Sequence, residues 1–138
     1  MNHFLAFIGT ITLTQLIAHA LGDYLLQSGW MALNKTKSWI PATVHGIVYA
    51  IPFILILHPS LAALAVIVGT HIVIDHYRLA RYVCWTKEWF SPRRPRPWKE
   101  CSKFGFDPQT PEYMAEWLMI IVDNMIHILI NGLALYFL

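Results

Sequence analysis

The sequence contains little charge. Only 13% of its 138 residues are Asp, Glu, Lys or Arg, about half of the share that soluble globular domains carry. Hydrophobic residues make up 57%, and they fall in long runs rather than in amphipathic stripes. This combination excludes an ordinary water-soluble domain and predicts an all-α protein that is embedded in a bilayer.

Cysteine is also scarce, and several catalytic motifs are missing. The two cysteines, Cys84 and Cys101, form no CxxC pair, so we expect reduced thiols rather than a redox or zinc pair. The sequence contains no phosphate-binding loop, dinucleotide fingerprint or nucleophile elbow. The first apolar segment lacks a basic flank and a clean cleavage site, so it is expected to be a retained helix rather than a signal peptide.

The apolar runs predict four membrane spans. A spanning helix needs about 20 apolar residues, and four segments meet or approach this length. They are residues 4–26, 39–57, 61–82 and 114–138. We therefore predict a single domain, residues 1–138, that forms a four-transmembrane-helix bundle with one long connection at residues 83–113.

The Lys and Arg residues predict the orientation of this bundle. All ten of them lie in the first connection, at the end of the third segment or in the long connection. The positive-inside rule then predicts that both of these connections face the cytoplasm and that both termini lie outside. Lys35, Lys37, Arg78 and Arg81 are predicted to form a basic rim that attracts lipid head groups. Because basic residues alternate with Trp beside a membrane, the expected partner is lipid and not nucleic acid.

Ionisable residues inside the apolar segments predict the functional site. The first and third segments contain His-x-x-x-Asp and the fourth, which runs in the opposite direction, contains Asp-x-x-x-His. Residues four apart share a helix face, so each His and its Asp lie on one face. Because the motif reverses where the direction of the segment reverses, each Asp is expected on the cytoplasmic side of its own His. This places a layer of carboxylates one turn away from a layer of imidazoles. The candidates are His19, Asp23, His45, His71, Asp75, Asp123 and His127.

Buried carboxylates need a compensating positive charge, since a central Asp costs about 3 kcal/mol on insertion scales. Imidazole and carboxylate are the usual ligands of zinc, iron and manganese, so we predict that these seven residues bind a divalent metal, with zinc as the first choice and one or two ions. Two other interpretations stay open. His–Asp hydrogen bonds can simply hold helices together, or they can form a proton or ion pathway, which with four helices would require a homo-oligomer.

For a metal site, the predicted reaction is hydrolysis of a lipid or lipid-linked bond. A bound metal lowers the pKa of water, and Asp23 or Asp75 would serve as the general base. The alternative is a non-enzymatic protein, of a partner-binding or exclusion type, in which the same residues form a structural network.

Several of these residues together resemble a known family. His19-x-x-x-Asp23-Tyr-x-x-Gln27, a following lysine, His45-x-x-x-Tyr49, and the His71/Asp75 and Asp123/His127 pairs are similar to domain-of-unknown-function family 3307. Its members are small membrane proteins of bacteria and their phages. The resemblance implies a polytopic inner-membrane protein and implies no activity.

Overall fold

The computed structural model describes the backbone of residues 2–92 and 96–138, and the side chains of residue 9, residues 12–92 and residues 96–138. Arg93 and Arg94 of the predicted basic connection lie outside the described residues. All regular structure within the described residues is helical. The elements are α1 (Asn2–Ala20), a π-helix (Leu21–Leu25), α2 (Gly29–Asn34), α3 (Trp39–Leu57), α4 (Leu61–Tyr77), α5 (Ala80–Lys87), a 3₁₀ turn (Glu88–Phe90), α6 (Trp98–Cys101) and α7 (Glu112–Phe137).

Two of these helices are long and apolar enough to cross a membrane. Within the described residues they are α3 and α7, and a third span results if α4 and the segment Ala80–Phe90 count as one bent span. For the described residues, the structure therefore confirms the predicted all-α class and gives two or three candidate spans, not clearly the four that the sequence predicts. The predicted first span, residues 4–26, is helical through α1 and the π-helix that follows it.

The predicted third span is interrupted. The sequence predicts one helix over residues 61–82, whereas α4 ends at Tyr77 and α5 begins at Ala80. Between them Arg78 adopts a positive φ of 51°, in the left-handed region that a non-glycine residue rarely enters. Because a left-handed residue cannot continue a right-handed α-helix, the apolar run is divided there.

The chain forms two compact units. The first unit comprises the residues up to His76 together with His127–Leu138, and the second comprises Tyr77–Ile126. Each unit has its own buried apolar core. In the first unit the core residues are Ala18, Tyr49, Phe53, Ala63, Ile67 and Ala134. In the second they are Ala80, Cys84, Phe104, Phe106, Ala115 and Met119.

The described part of the long connection contains regular structure and buried side chains. Residues 83–113 contain most of α5, the 3₁₀ turn and α6, and Phe104 and Phe106 of this segment are buried in the second core. Arg96 lies 3.0 Å from Asp107 and 3.2 Å from Glu100. Part of the basic charge of this connection is therefore paired with its own acidic residues.

Both cysteines belong to the second unit, where they are free and buried. Burial raises the pKa of the Cys101 thiol. A buried thiol with a raised pKa carries little thiolate and reacts slowly, which agrees with the inert role expected from the sequence.

Two serine side chains cap the starts of helices α2 and α3. The Ser28 hydroxyl accepts a hydrogen bond from the Met31 backbone at the start of α2, and the Ser38 hydroxyl accepts one from the Ile40 backbone at the start of α3. Such side-chain caps satisfy backbone donors that a helix start leaves free. The connection between α2 and α3 is thereby limited to a few residues, and Lys35 is one of them.

Candidate metal centre

Four buried donor side chains of the first unit lie together. The Nε2 atom of His45 is 3.1 Å from Asp23 Oδ1 and 3.1 Å from Asp75 Oδ2. His71 Nε2 is 3.0 Å from His45 Nε2 and 3.2 Å from Asp75 Oδ2. One ligand atom from each residue lies within 4.8 Å of the other three. We call Asp23, His45, His71 and Asp75 the four-donor cluster, and its geometry could hold a metal ion.

Three separate helical elements supply the cluster. His71 and Asp75 are four residues apart on α4, which places them on the same face, and His45 comes from α3. Asp23 lies in the π-helix, where the Leu26 backbone N–H bonds to the carbonyl of Leu21, five residues earlier. Single π-turns of this kind occur frequently at functional sites. Here the π-turn sets the position of one of the two carboxylates.

The spacing of the donors is close to that of a zinc site. Ligands at ~2.0–2.1 Å from a tetrahedral zinc ion lie about 3.3 Å from one another. The distances from His45 Nε2 to the other three donors are 3.0–3.1 Å, and the longest His–Asp separation, between His71 Nε2 and Asp23 Oδ1, is 4.0 Å. Small side-chain rotations would bring all four atoms to one ion.

The cluster is deeply buried. His45 and His71 are 0% exposed, Asp75 is 4% exposed and Asp23 is 8% exposed. Burying a carboxylate is unfavourable unless it is paired and hydrogen-bonded. Two carboxylates at this burial therefore require positive charge beside them.

Lys35 supplies one such charge. Its ammonium lies 2.7 Å from Asp75 Oδ2, 3.8 Å from Asp23 Oδ1 and 3.4 Å from His45 Nε2. The sequence predicts Lys35 in a basic rim that faces lipid head groups. In the structure its side chain, which is only 17% exposed, points to the carboxylates.

Two further histidines face the oxygens of the carboxylates that point away from His45. His19 Nε2 lies 4.0 Å from Asp23 Oδ2, and His127 Nε2 lies 3.5 Å from Asp75 Oδ1. Imidazoles in such positions orient ligand carboxylates. His19 and His127, both predicted as ligands, therefore flank the four-donor cluster from outside.

Tyr49 connects these histidines. Its ring stacks on His71, with centroids 3.7 Å apart and planes 11° apart. Its hydroxyl lies 2.8 Å from His19 Nδ1 and accepts a hydrogen bond of 2.6 Å from Asn131 Nδ2. Tyr49 is not among the predicted site residues, although its four-residue spacing from His45 is a signal for it.

The Gln27 side chain contacts two residues of the four-donor cluster. Its Nε2 group donates to Asp23 Oδ1 at 3.4 Å and lies 2.8 Å from His45 Nε2. Gln27 belongs to the run of residues that carries the family resemblance, but its chemical role could not be read from the spacing alone.

The carboxylates and imidazoles of the four-donor cluster contact one another directly and do not form two separate layers. The sequence predicts a carboxylate layer and an imidazole layer separated by one helical turn. His45 instead contacts both Asp23 and Asp75 at 3.1 Å. The reason is that His45 has no Asp on its own helix, so it reaches the carboxylates of the neighbouring elements.

The remaining predicted residues are not part of the four-donor cluster. Lys37 is exposed in the connection before α3. Asp123, Arg78 and Arg81 belong to the second unit, where Asp123 is half-buried on α7. Arg78 donates to Met119 Sδ at 3.5 Å and Arg81 donates to the Ser102 carbonyl at 3.2 Å. The ligand role of Asp123 and the head-group roles of Lys37, Arg78 and Arg81 stay predictions.

A comparison with protein-family models gives one finding. The family described as "Protein of unknown function (DUF3307)" matches residues 11–137, nearly the whole chain. The matched range contains all four residues of the cluster together with His19, Lys35 and His127. Neither the curated proteins nor the solved structures contain a significant match.

Proposed function

Since the chain belongs to the DUF3307 family, whose description assigns no function, we propose its function from the geometry of the cluster. The proposed function is that of an integral membrane metalloprotein, which binds one divalent cation through Asp23, His45, His71 and Asp75. Imidazole together with carboxylate favours zinc, with manganese or iron as chemical alternatives.

The observation that carries this proposal is the crowding around one nitrogen. His45 Nε2 has the ligand atoms of Asp23, Asp75 and His71 within 3.0–3.1 Å. A ring nitrogen carries either one proton or one lone pair, so hydrogen bonding can satisfy only one or two of these contacts. A cation at the centre would satisfy all four donors at once, since each would direct a lone pair at it.

The proposed membrane arrangement has four spans. The 19 residues of α1 continue directly into the five-residue π-helix. Together they reach the length of about 20 residues that a bilayer requires. The chain contains no Lys or Arg before Lys35, between Lys37 and Arg78, or after Lys103. This distribution supports cytoplasmic connections at residues 27–38 and 83–113, with both termini on the outer face of the inner membrane.

This topology is tested by placing an epitope at three positions in turn: before Met1, after Leu138, and after the exposed Gln109. In bacterial spheroplasts, we expect a membrane-impermeant protease to remove both terminal epitopes and to leave the epitope at Gln109 intact until the membrane is permeabilised. Cleavage at Gln109 in sealed spheroplasts would contradict the proposed orientation.

The proposed reaction is hydrolysis of a bond in a lipid or lipid-linked substrate. A divalent metal at this position would lower the pKa of a bound water. The chain's own contribution would be a proton acceptor: Asp23 and Asp75 each keep one oxygen outside the four-donor group, facing His19 and His127 respectively. The membrane setting and the basic residues at the cytoplasmic boundary support an anionic lipid substrate.

The metal site is tested by elemental analysis of purified protein. We expect about one zinc, manganese or iron per chain in the wild type, loss of the ion after chelation, and little or none in His71→Ala, because a site that lacks one of four ligands is weakened strongly. His58→Asn is the control, since His58 is exposed outside the cluster at φ 47°, a conformation that Asn tolerates.

The same four preparations separate the metal site from the reaction. In vesicles, release of a water-soluble head group by the wild type and by His58→Asn, but not by His71→Ala or the chelated protein, would support the hydrolase. If the wild type contains stoichiometric metal but hydrolyses no lipid, the metal site is supported and the proposed hydrolase activity is contradicted. A wild type that contains no metal and acquires none from added zinc would overturn the metal site itself.

A second candidate function is a metal-free structural network. Two observations favour it: Lys35 already places a cation beside Asp75, and His71 Nδ1 is buried without a hydrogen-bond partner among the described residues. A metal-binding His normally donates its second ring N–H to an acceptor. In this candidate, the His71 proton resides on Nε2 and is donated to Asp75, and the elemental analysis decides between the two.

A further inference from the structure

The Lys35 ammonium lies beside the donor atoms that would bind a metal ion. It lies within 3.8 Å of three of the four donors, namely Asp75, His45 and Asp23. The contact with Asp75 Oδ2, at 2.7 Å, is as short as a strong charged hydrogen bond. That oxygen is the same atom that Asp75 contributes to the four-donor cluster. The ammonium and a metal would therefore both bind the same carboxylate oxygen.

The charges of the cluster also favour one cation at a time. With neutral imidazoles, Asp23 and Asp75 carry two negative charges, which balance one divalent ion. Adding the charge of Lys35 to a bound divalent ion leaves an excess positive charge in a buried environment, where like charges a few ångströms apart repel strongly. The donor set can hold the metal or the ammonium, but it does not suit both together.

We propose that Lys35 is a tethered cation that competes with the metal for the four-donor cluster: the ammonium occupies the cluster in the metal-free protein and swings out when a divalent ion binds. This inference rests on the proposed metal site and adds to it the residue that sets metal affinity. The exchange is of one cation for another.

Hydrogen bonds hold the backbone of Lys35 in place, so only its side chain would move when a metal replaces the ammonium. His76 Nδ1 donates a hydrogen bond of 2.9 Å to the Lys35 carbonyl, and the His76 ring stacks on Trp39, with centroids 4.0 Å apart. The backbone N–H of Lys35 bonds to the Met31 carbonyl at 2.8 Å. With these contacts kept, the flexible four-carbon stem of a lysine is long enough to carry the charge to the surface.

The first test compares the zinc affinity of the chelator-treated, metal-free wild type with that of Lys35→Met. Met is one atom shorter than Lys, so the variant keeps an unbranched stem of similar shape and removes the charged end. A competing chromophoric chelator reports the affinity in detergent. We expect Lys35→Met to bind zinc on the order of tenfold more tightly or better. Lys99→Met is the control, because Lys99 is exposed in the second unit, and its affinity should equal that of the wild type.

The second test needs no variant and remains valid if Lys35→Met fails to fold. The wild type is treated with an amine-modifying reagent with and without zinc, and the modified lysines are quantified by mass spectrometry. We expect zinc to raise the modification rate of Lys35 several-fold by releasing it from the carboxylates, while the exposed Lys37 reacts equally in both conditions.

The outcomes distinguish this inference from the proposed function. If the wild type binds zinc, and Lys35→Met binds it equally or more weakly, or if zinc leaves the Lys35 modification rate unchanged, the competition is overturned and the metal site stands. If neither the wild type nor Lys35→Met binds zinc, both the metal site and the competition are overturned.

Discussion

Replacing Asp75 by Asn is expected to lower the free energy of unfolding of the metal-free protein by about 3–5 kcal/mol. Asp75 Oδ2 lies 2.7 Å from the Lys35 ammonium and 3.1–3.2 Å from His45 and His71. The Asn side chain keeps the shape of Asp but removes the charge, so a largely buried ammonium is left without its main counter-ion. This effect should exceed the ~0.6 kcal/mol that an average hydrogen bond between membrane helices contributes.

The measurement is reversible unfolding of the chelated protein in mixed micelles, with Asp107→Asn as the matched control. Asp107 pairs with Arg96 at 3.0 Å, but both side chains are more than 40% exposed. Exposed ion pairs contribute only about 0–1 kcal/mol, so the same chemical change should have little effect there. If Asp75→Asn costs no more than Asp107→Asn, the cluster is not a buried charge network.

A double-mutant cycle isolates the contact between Lys35 and Asp75. Each single variant, Lys35→Met and Asp75→Asn, leaves a buried charge uncompensated, whereas the double variant removes both charges. We therefore expect the double variant to be more stable than the sum of the single effects predicts, with a coupling of roughly 1–3 kcal/mol. Additive effects would mean that the two groups do not interact in the folded protein.

Replacing Gly22 by Ala is the second change with a large expected effect. A Cβ atom at Gly22 would lie 2.9 Å from the carbonyl oxygen of Tyr49 and 3.1 Å from its Cα. These are backbone atoms of α3, so they cannot rotate out of the way. We expect a loss of about 1–3 kcal/mol in the free energy of unfolding, as for other overpacked sites, and a loss of metal affinity because Asp23 is the next residue.

Two other glycines provide graded comparisons for Gly22→Ala. A Cβ at Gly46 would contact the side chain of Ile72, which can shift, so Gly46→Ala should cost less. A Cβ at Gly69 would have no other atom within 4 Å, and Gly69→Ala should stabilise helix α4 by about 0.5–1 kcal/mol. Unfolding and zinc binding of the three variants should follow this order, and equal behaviour of Gly22→Ala and Gly69→Ala would contradict the close packing of the π-helix on α3.

Four glycines of the apolar segments differ in what surrounds them. The sequence suggests that Gly22, Gly46, Gly69 and Gly132 all permit close helix packing. The structure supports this for Gly22 and Gly46, and for Gly132 against the Gln15 side chain at 3.2 Å, but Gly69 faces open space. Spacing along a helix does not reveal which glycine faces a neighbour, because that depends on where the neighbouring helix lies.

The sequence by itself determined the class of the protein and the chemistry of its interior. Low charge and long apolar runs indicated helices in a membrane, and α3 was predicted with the bounds observed, Trp39–Leu57. The pairs His19/Asp23 and His71/Asp75 identified the polar groups that come together, because ionisable residues are costly in an apolar segment and persist where partners compensate them.

Only the tertiary structure decided how these groups are arranged. The left-handed residue Arg78 interrupts an apolar run that reads as one helix. The π-turn that carries Asp23 packs its Gly22 against Tyr49, and Lys35 contacts Asp75; both partners are distant in the sequence. Local patterns specify which face of a helix is polar, but they do not specify the distance between two helices or the direction in which a flexible lysine points. The arrangement of four donors around one position, with an ammonium already beside them, is therefore a property of the fold.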